Sequence, residues 1–370
     1  MKEEEILAVL RLQNTNLVGD ILVKKLIATV GSAAEVYREK KYLLHKINGI
    51  GKSTIEQIFD PSTLRKAQIE LEHINKNKTK FRYFLNDDYP KNLQHCIDAP
   101  ILLFEDGNID LSNQRIISIV GTRNMTRYGR EFCEQFIEDL VPYNPIIVSG
   151  FAYGVDICAH KSAISNSLQT IAVLAHGFDH IYPKIHKKYI HMVNANGGFF
   201  TEFFHDESPY RENFLKRNRV VAGLSQATII IESAEKGGSL VTADIANSYN
   251  RDVFAVPGRV SDSLSKGCND LIRNHRAYLL HSAEDIVKHL NWDLPNKKTS
   301  FQKVIQKQLF FDLSSEEEKI CNYLRDHGQQ MLDMIAVETD IPVRQMATLL
   351  LNLELSGIIR PLPGKVFELV

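Results

Sequence analysis

The chain has 370 residues, 44% of them hydrophobic and 24% charged, with a formal net charge of −1. That length exceeds one ordinary core and predicts two or three globular domains. The near-zero charge excludes a global field for a polyanion but leaves room for a local basic patch.

The opening "MKEEEILAVL" is acidic and begins a helix pattern, so it does not read as a signal peptide. No apolar run approaches bilayer length, which predicts no membrane partner. Five scattered cysteines, Cys96, Cys133, Cys158, Cys268 and Cys321, form no CxxC pair. This argues against a disulfide framework or a structural zinc site and predicts a reducing, cytoplasmic setting.

Residues 1–78 read as short helices. "NLVGDILVKKLIATVGS" (16–32) and "INGIGKSTIEQIF" (47–59) each place a glycine turn before an apolar helix, the grammar of a helix-hairpin-helix (SAM-like) domain. "GIGKST" resembles a Walker A loop, but that motif needs a glycine where Lys46 stands, and no strand precedes it. The hairpin turn is the better reading.

Residues 79–290 begin with two strand-like pieces around a proline-bounded turn. Apolar runs then alternate with helical patterns. The predicted strands are 115–121, 145–150, 170–177, 198–203, 227–233 and 251–258. The predicted helices are 126–140, 154–166, 186–196, 214–225, 239–249 and 267–274. Nearly continuous apolar strands in a βαβα rhythm predict an α/β fold, an extended Rossmann-like doubly wound parallel sheet. Residues 291–314 lose the rhythm and read as a linker. Residues 315–370 read as three helices and a hairpin, a winged-helix domain. Its third helix carries Arg344 among many leucines, so contact with protein and contact with nucleic acid both stay open.

In an open parallel sheet, ligands bind beyond the carboxyl ends of the strands. Gly121, Gly150 and Gly177 each end a predicted strand and expose backbone N–H groups, an anion-binding arrangement. Thr122 and Arg123 follow the first, and Ser149 precedes the second. A dinucleotide loop would carry spaced glycines at the first turn. Arg123 instead offers a planar bidentate donor, which suits the phosphodiester of a polymer. Phe214, Lys216, Arg217, Asn218 and Arg219 combine a stacking ring with cations. Arg217 and Arg219 cannot share a helix face, so one of them can instead be internal and paired, to Glu202 or Glu232. Gly237-Gly238-Ser239 starts another helix and can close over a phosphate or simply turn. Asp156 and His160 lie one helical turn apart and can pair. The histidines lack metal-site spacing and no nucleophile elbow is present, so neither a metal, a cofactor nor a catalytic residue is predicted.

Six ordered motifs carry a resemblance: "VGTRNMTRYG", "IVSGFAYGVDICAHKSAI", "TIAVLAHGFDHIYPKIHKKY", "GGFFTEF", "FLKRNRVVAGLSQATIIIESAEKGGSLVTADIA" and "VFAVPGRVSDSLSKGCNDLI". Together, over about 80–290, they resemble the DNA-processing DprA (Smf) family. The resemblance implies a non-enzymatic, dimeric protein that binds single-stranded DNA, displaces single-strand binding protein and loads RecA recombinase during natural transformation. It maps the DNA pocket onto Gly121, Thr122, Arg123 and the Phe214–Arg219 segment, with Ser149, Gly150 and Gly237-Gly238-Ser239 contributing. Gly237 stands where the family often has serine, and Arg276 where it often has glycine. A second reading is a nucleotide-processing enzyme of the related phosphoribohydrolase-like Rossmann proteins. "EKGGSLVT" lacks the proline and glutamate of their signature.

Overall fold

In the computed structural model, residues 1–16, 18–292, 313–362 and 366–369 are described, and the chain divides into two units, 1–296 and 297–370. Most of the linker expected at 291–314 lies outside the described residues.

The first unit is built on a nine-stranded sheet. In chain order its strands are β1 (Lys80–Tyr83), β2 (Leu102–Gly107), β3 (Ile116–Val120), β4 (Ile146–Ser149), β5 (Thr170–Val173), β6 (Gly197–Thr201), β7 (Ala227–Ile230), β8 (Asp252–Ala255) and β9 (Tyr278–Leu279). Their spatial order is β1-β2-β6-β5-β4-β3-β7-β8-β9. β1 pairs antiparallel with β2 and β2 antiparallel with β6, and the strands from β6 across to β9 run parallel to one another. The order reverses between β3 and β7, because the chain winds outward from β3 to β6 and then returns to pair β7 with β3. Two neighbouring strand ends therefore send their chains to opposite faces, opening a crevice there.

Side chains on a strand alternate between faces. Ile117 and Ile119 pack with Phe136, Ile137 and Val155 on one side. Ile116 and Val120 pack with Val220, Val221 and Ala243 on the other. Both faces are covered, which is why these strands read as continuous apolar runs rather than alternating ones.

The N-terminal helices form their own cluster, and that cluster includes Tyr83, Leu102 and Phe104 of β1 and β2. The helical head thus packs against side chains of the antiparallel strands within the same unit. Helices start at Asp20 and Lys52 after their glycine N-caps, Gly19 and Gly51.

In the second unit, helices Ser315–His327, Leu332–Thr339 and Val343–Leu355 pack around Ile320, Leu324, Ile335, Met346 and Leu350. Ser314 and Glu317 form a capping box at the start of the first helix. Strands β10 (Gln330–Met331), β11 (Ile359–Leu362) and β12 (Val366–Leu369) form a three-stranded antiparallel sheet. β9 and β10, two residues each, were too short to register as periodic runs. Among the described residues, no helix is long and apolar enough to cross a membrane.

Candidate nucleic-acid interface

A cleft of about 800 Å³ opens at the carboxyl ends of β3, β4 and β7, on the switch point of the sheet. Three backbone segments frame it: Gly121-Thr122-Arg123 after β3, Gly150 and Ala152 after β4, and Ser233 through Ser239 after β7. The first two turns of helix Arg211–Leu224 form a fourth wall with Arg211, Phe214, Leu215 and Asn218.

The loop after β3 is held tightly. Thr122 N–H donates to the Glu232 carbonyl at 2.8 Å, bridging β3 and β7 across the switch point. Thr126 N–H donates to the Glu232 carboxylate at 2.8 Å, and the Thr126 hydroxyl bonds the same group. Thr126 Oγ1 in turn accepts from Gly129 N–H at 3.1 Å, capping helix Arg127–Asp139. Gly154, at φ +72°, lets the loop after β4 lie against this one, since a Cβ there would fall 2.2 Å from the Thr122 carbonyl oxygen. Only glycine meets both demands without strain.

On the loop after β7, Ser239 Oγ donates to Ser233 Oγ at 2.9 Å. The following helix, Gly238–Ser248, turns its N-terminus toward the cleft, where free N–H groups and the helix dipole favour an anion.

Arg123, Phe214 and Tyr182 make a continuous cation–aromatic wall. The Arg123 guanidinium carbon lies 5.4 Å from the Phe214 ring centroid. Tyr182 meets Phe214 edge-on, with centroids 5.4 Å apart. Arg123, Arg211 and Lys236 are exposed around the cleft, and among the described residues none of the three carries an ion pair.

Beneath the cleft, Arg217 plays a different part. It is 5% exposed and donates through Nη1 to the carbonyls of Gly150 at 2.6 Å and Val173 at 2.5 Å. It thereby ties together the ends of β4 and β5. Burial pushes its pKa down, and the nearby Asp156 carboxylate opposes that shift. Burial also raises the Asp156 carboxyl above the ordinary range, against the Arg217 charge and the Ala152 N–H that it accepts at 3.2 Å. The two buried groups act on each other electrostatically without a direct bond, each held by backbone groups around the β4 loop.

The cleft thus gathers Gly121, Thr122, Arg123, Gly150, Phe214, Arg217, Asn218, Gly237, Gly238 and Ser239 of the residues singled out from sequence. Three others stand apart. Ser149 is fully buried, and its hydroxyl donates to the Ile119 carbonyl at 2.6 Å, bracing β4 against β3. Arg219 is buried on the opposite side of the helix, bonded to Glu202, to Asp20 of the helical head and to the Asp98 carbonyl. The internal, paired alternative therefore describes Arg219, with Glu202 as a partner, while Glu232 holds Thr126 instead. Lys216 forms an ion pair with Glu202 at 3.0 Å and lies over Phe203, off the cleft wall. A helix advances about 100° per residue, so consecutive cations fan around it and cannot all face one ligand. Asp156 and His160 do not bond to each other. His160 Nδ1 lies 2.7 Å from Thr170 Oγ1.

Among the cleft residues not singled out are Arg211, Lys236 and Tyr182. Arg211 opens the basic run, but the helix begins there and not at Phe214. Lys236 directly precedes the Gly237-Gly238 turn, a signal in plain sight. Tyr182 comes from the loop after β5, and no local pattern announces it.

The sequence profile described as DNA recombination-mediator protein A matches residues 80–291. The chain belongs to the DNA recombination-mediator protein A family. A second profile, the DprA winged helix domain, matches residues 309–365. Among curated members, the DNA processing protein DprA of Streptococcus pneumoniae is 38% identical over 225 residues, spanning 60% of this chain and 79% of that one. The protein Smf of Escherichia coli is 32% identical over 283 residues, 75% of this chain and 74% of that one. The crystal structure of the S. pneumoniae protein matches with a TM-score of 0.62 at 30% identity, over 78% of this chain and 98% of that one. A structure of DNA processing protein A from Helicobacter pylori, described for its single-stranded DNA binding mode, matches with a TM-score of 0.51 at 29% identity, over 57% of this chain and 96% of that one. The Rossmann-like sheet and the winged helix are thus family features, and the cleft lies within the matched sheet region.

Proposed function

We propose that this member of the recombination-mediator family binds single-stranded DNA in the switch-point cleft and, without turning it over, presents it to RecA recombinase. The observation that carries the binding step is the set of exposed cations without an ion pair, Arg123, Arg211 and Lys236, around a groove whose wall includes Phe214. Cations that lack a carboxylate partner release counterions when they meet phosphates. An aromatic ring beside them accepts any base by stacking, so the site is tolerant of sequence. The cleft holds about 800 Å³ and is rimmed by exposed side chains, which suits a strand better than a buried mononucleotide. The description of the H. pylori relative as a single-stranded DNA binder supports the same reading. RecA loading, displacement of single-strand binding protein, and action as a homodimer extend this proposal by family membership.

The test is fluorescence anisotropy with oligo-dT and a matched duplex across a salt series. Preference for the single strand, with log affinity falling by about 0.7 per phosphate contacted for each log unit of salt, is the expected result. Equal affinity for both forms, or no salt dependence, would sink the binding step. RecA filament formation on DNA coated with single-strand binding protein, with and without the chain, tests the loading step separately.

A further inference from the structure

Away from the cleft, helix Pro61–Asn77 of the helical head crosses the loops that follow β5 and β6. There His73, Asp179 and His205 converge, with one nitrogen or oxygen ligand atom from each lying within 4.8 Å of the others. We propose that these three side chains bind a divalent transition-metal ion of the Zn²⁺ type, clasping the head to the sheet.

The donor set is the first argument. Two imidazoles and one carboxylate suit Zn²⁺ and its borderline neighbours, and three protein ligands leave a coordination position open. A tetrahedral ion with bonds of about 2.0–2.1 Å needs its ligand atoms roughly 3.3 Å apart. Closing from the present spacing moves each ligand atom by about an ångström, and Asp179 is exposed.

The supporting shell is the second. A metal-bound histidine characteristically gives its other ring N–H to a carboxylate or amide, which orients the ring. His205 Nδ1 lies 2.5 Å from the Glu70 carboxylate, and Glu70 is 2% exposed. The same carboxylate accepts the His205 backbone N–H at 3.1 Å. That arrangement fixes the His205 ring and leaves Nε2 as its outward nitrogen. His73 is likewise engaged at one nitrogen only, with Nε2 3.0 Å from the Asn77 side-chain amide. The two rings stack at 3.8 Å, with 16° between planes. Each imidazole is anchored through one nitrogen; turning over the Asn77 amide, so that its oxygen accepts from His73 Nε2–H, frees His73 Nδ1, and rotating the rings out of their stack directs it and His205 Nε2 at one ion.

The third argument is backbone placement. Asp179 N–H donates to the His205 carbonyl at 3.0 Å, and Gly177 N–H donates to the Glu207 carbonyl at 2.8 Å. A Cβ on Gly177 would fall 1.9 Å from the Phe204 carbonyl oxygen, so the two loops are locked side by side. Asp179 and His205 are thus held as a pair before any ion arrives. His73 and Asp179 also line a cavity of about 340 Å³ with Lys78 and Lys80, which gives an ion an approach from solvent.

The test uses the full, untagged chain and the metal alone. Titration with Co²⁺, read by its visible absorption and by calorimetry, should show one ion per chain, competed by Zn²⁺. Asp179→Asn, on an exposed loop, and His73→Gln should each weaken binding at least about tenfold, and Glu70→Gln by about 10–100-fold through loss of ring orientation. Zn²⁺ should also raise the melting temperature of the parent chain and not that of Asp179→Asn. His327→Ala, in the second unit, should bind like the parent. The absence of stoichiometric binding, or equal binding by parent and Asp179→Asn, overturns the site. Asp179→Asn keeps the test decisive if His73→Gln fails to fold.

Discussion

Arg123 lies over the ring of Phe214, its guanidinium carbon 5.4 Å from the centroid, although the two residues come from a strand-end loop and from a distant helix. The contact orients the cation and leaves it without a carboxylate partner. It also couples the two residues energetically. Arg123→Ala and Phe214→Ala should each weaken oligo-dT binding by about 1–3 kcal/mol. In the double variant the losses should fall short of additive by about 0.5 kcal/mol or more, because residues in contact share their effect. Strict additivity in an anisotropy-based mutant cycle would show that each works alone.

Arg217 should report on stability before binding. Replacing it with methionine leaves the Gly150 and Val173 carbonyls short of a donor and Asp156 without its countercharge. Leaving a buried acceptor unsatisfied costs about 1–3 kcal/mol. Urea denaturation should show a loss of this size. A variant as stable as the parent but defective in DNA binding would place Arg217 in direct contact with the strand instead.

The cations along the helix should divide by their partners. Lys216 and Arg219 are already neutralised by Glu202, whereas Arg211 and Lys236 face the cleft. Lys216→Ala should alter oligo-dT affinity by less than about 0.5 kcal/mol. Arg211→Ala and Lys236→Ala should each weaken it by about 1 kcal/mol or more and flatten the salt dependence by about 0.7. An anisotropy series in which Lys216→Ala is the most damaging change would reverse this assignment.

His160 sets an acid limit on stability. It is fully buried, and burial first, with the charges of His186 and Arg217 second, pushes its imidazole down to about 3 from 6.5. The unfolded chain therefore takes up a proton in this window that the folded chain refuses. The resulting stability is complete above about pH 6.5 and is lost as pH falls toward 3, at up to about 1.4 kcal/mol per pH unit. Urea midpoints measured across this window should fall less steeply in His160→Phe than in the parent. Parallel slopes would assign the acid sensitivity to other groups.

Much of this molecule was legible in its sequence, for reasons that differ by element. Six of the seven parallel strands announced themselves because both faces are covered, which favours nearly continuous apolar runs. The winged helix announced itself through its caps and proline. β9 and β10 did not, since two residues carry no period. The helix at 214–225 was placed three residues late because Tyr210 supplies no side-chain cap and so leaves no start signal.

The sequence by itself determined the alternation of strands and helices, the glycine turns at the strand ends, and the presence of an arginine where a dinucleotide loop would carry glycine. These are local matters, settled by periodicity and backbone sterics. Only the tertiary structure decided which cations remain exposed. Lys216, Arg217 and Arg219 are nearly adjacent in the chain, yet one pairs at the surface with Glu202, one braces the ends of β4 and β5, and one reaches Asp20 in the helical head. Helical rotation turns them in different directions, and the partners that await each come from distant parts of the chain. Charge composition is written in the sequence, whereas charge neutralisation depends on packing.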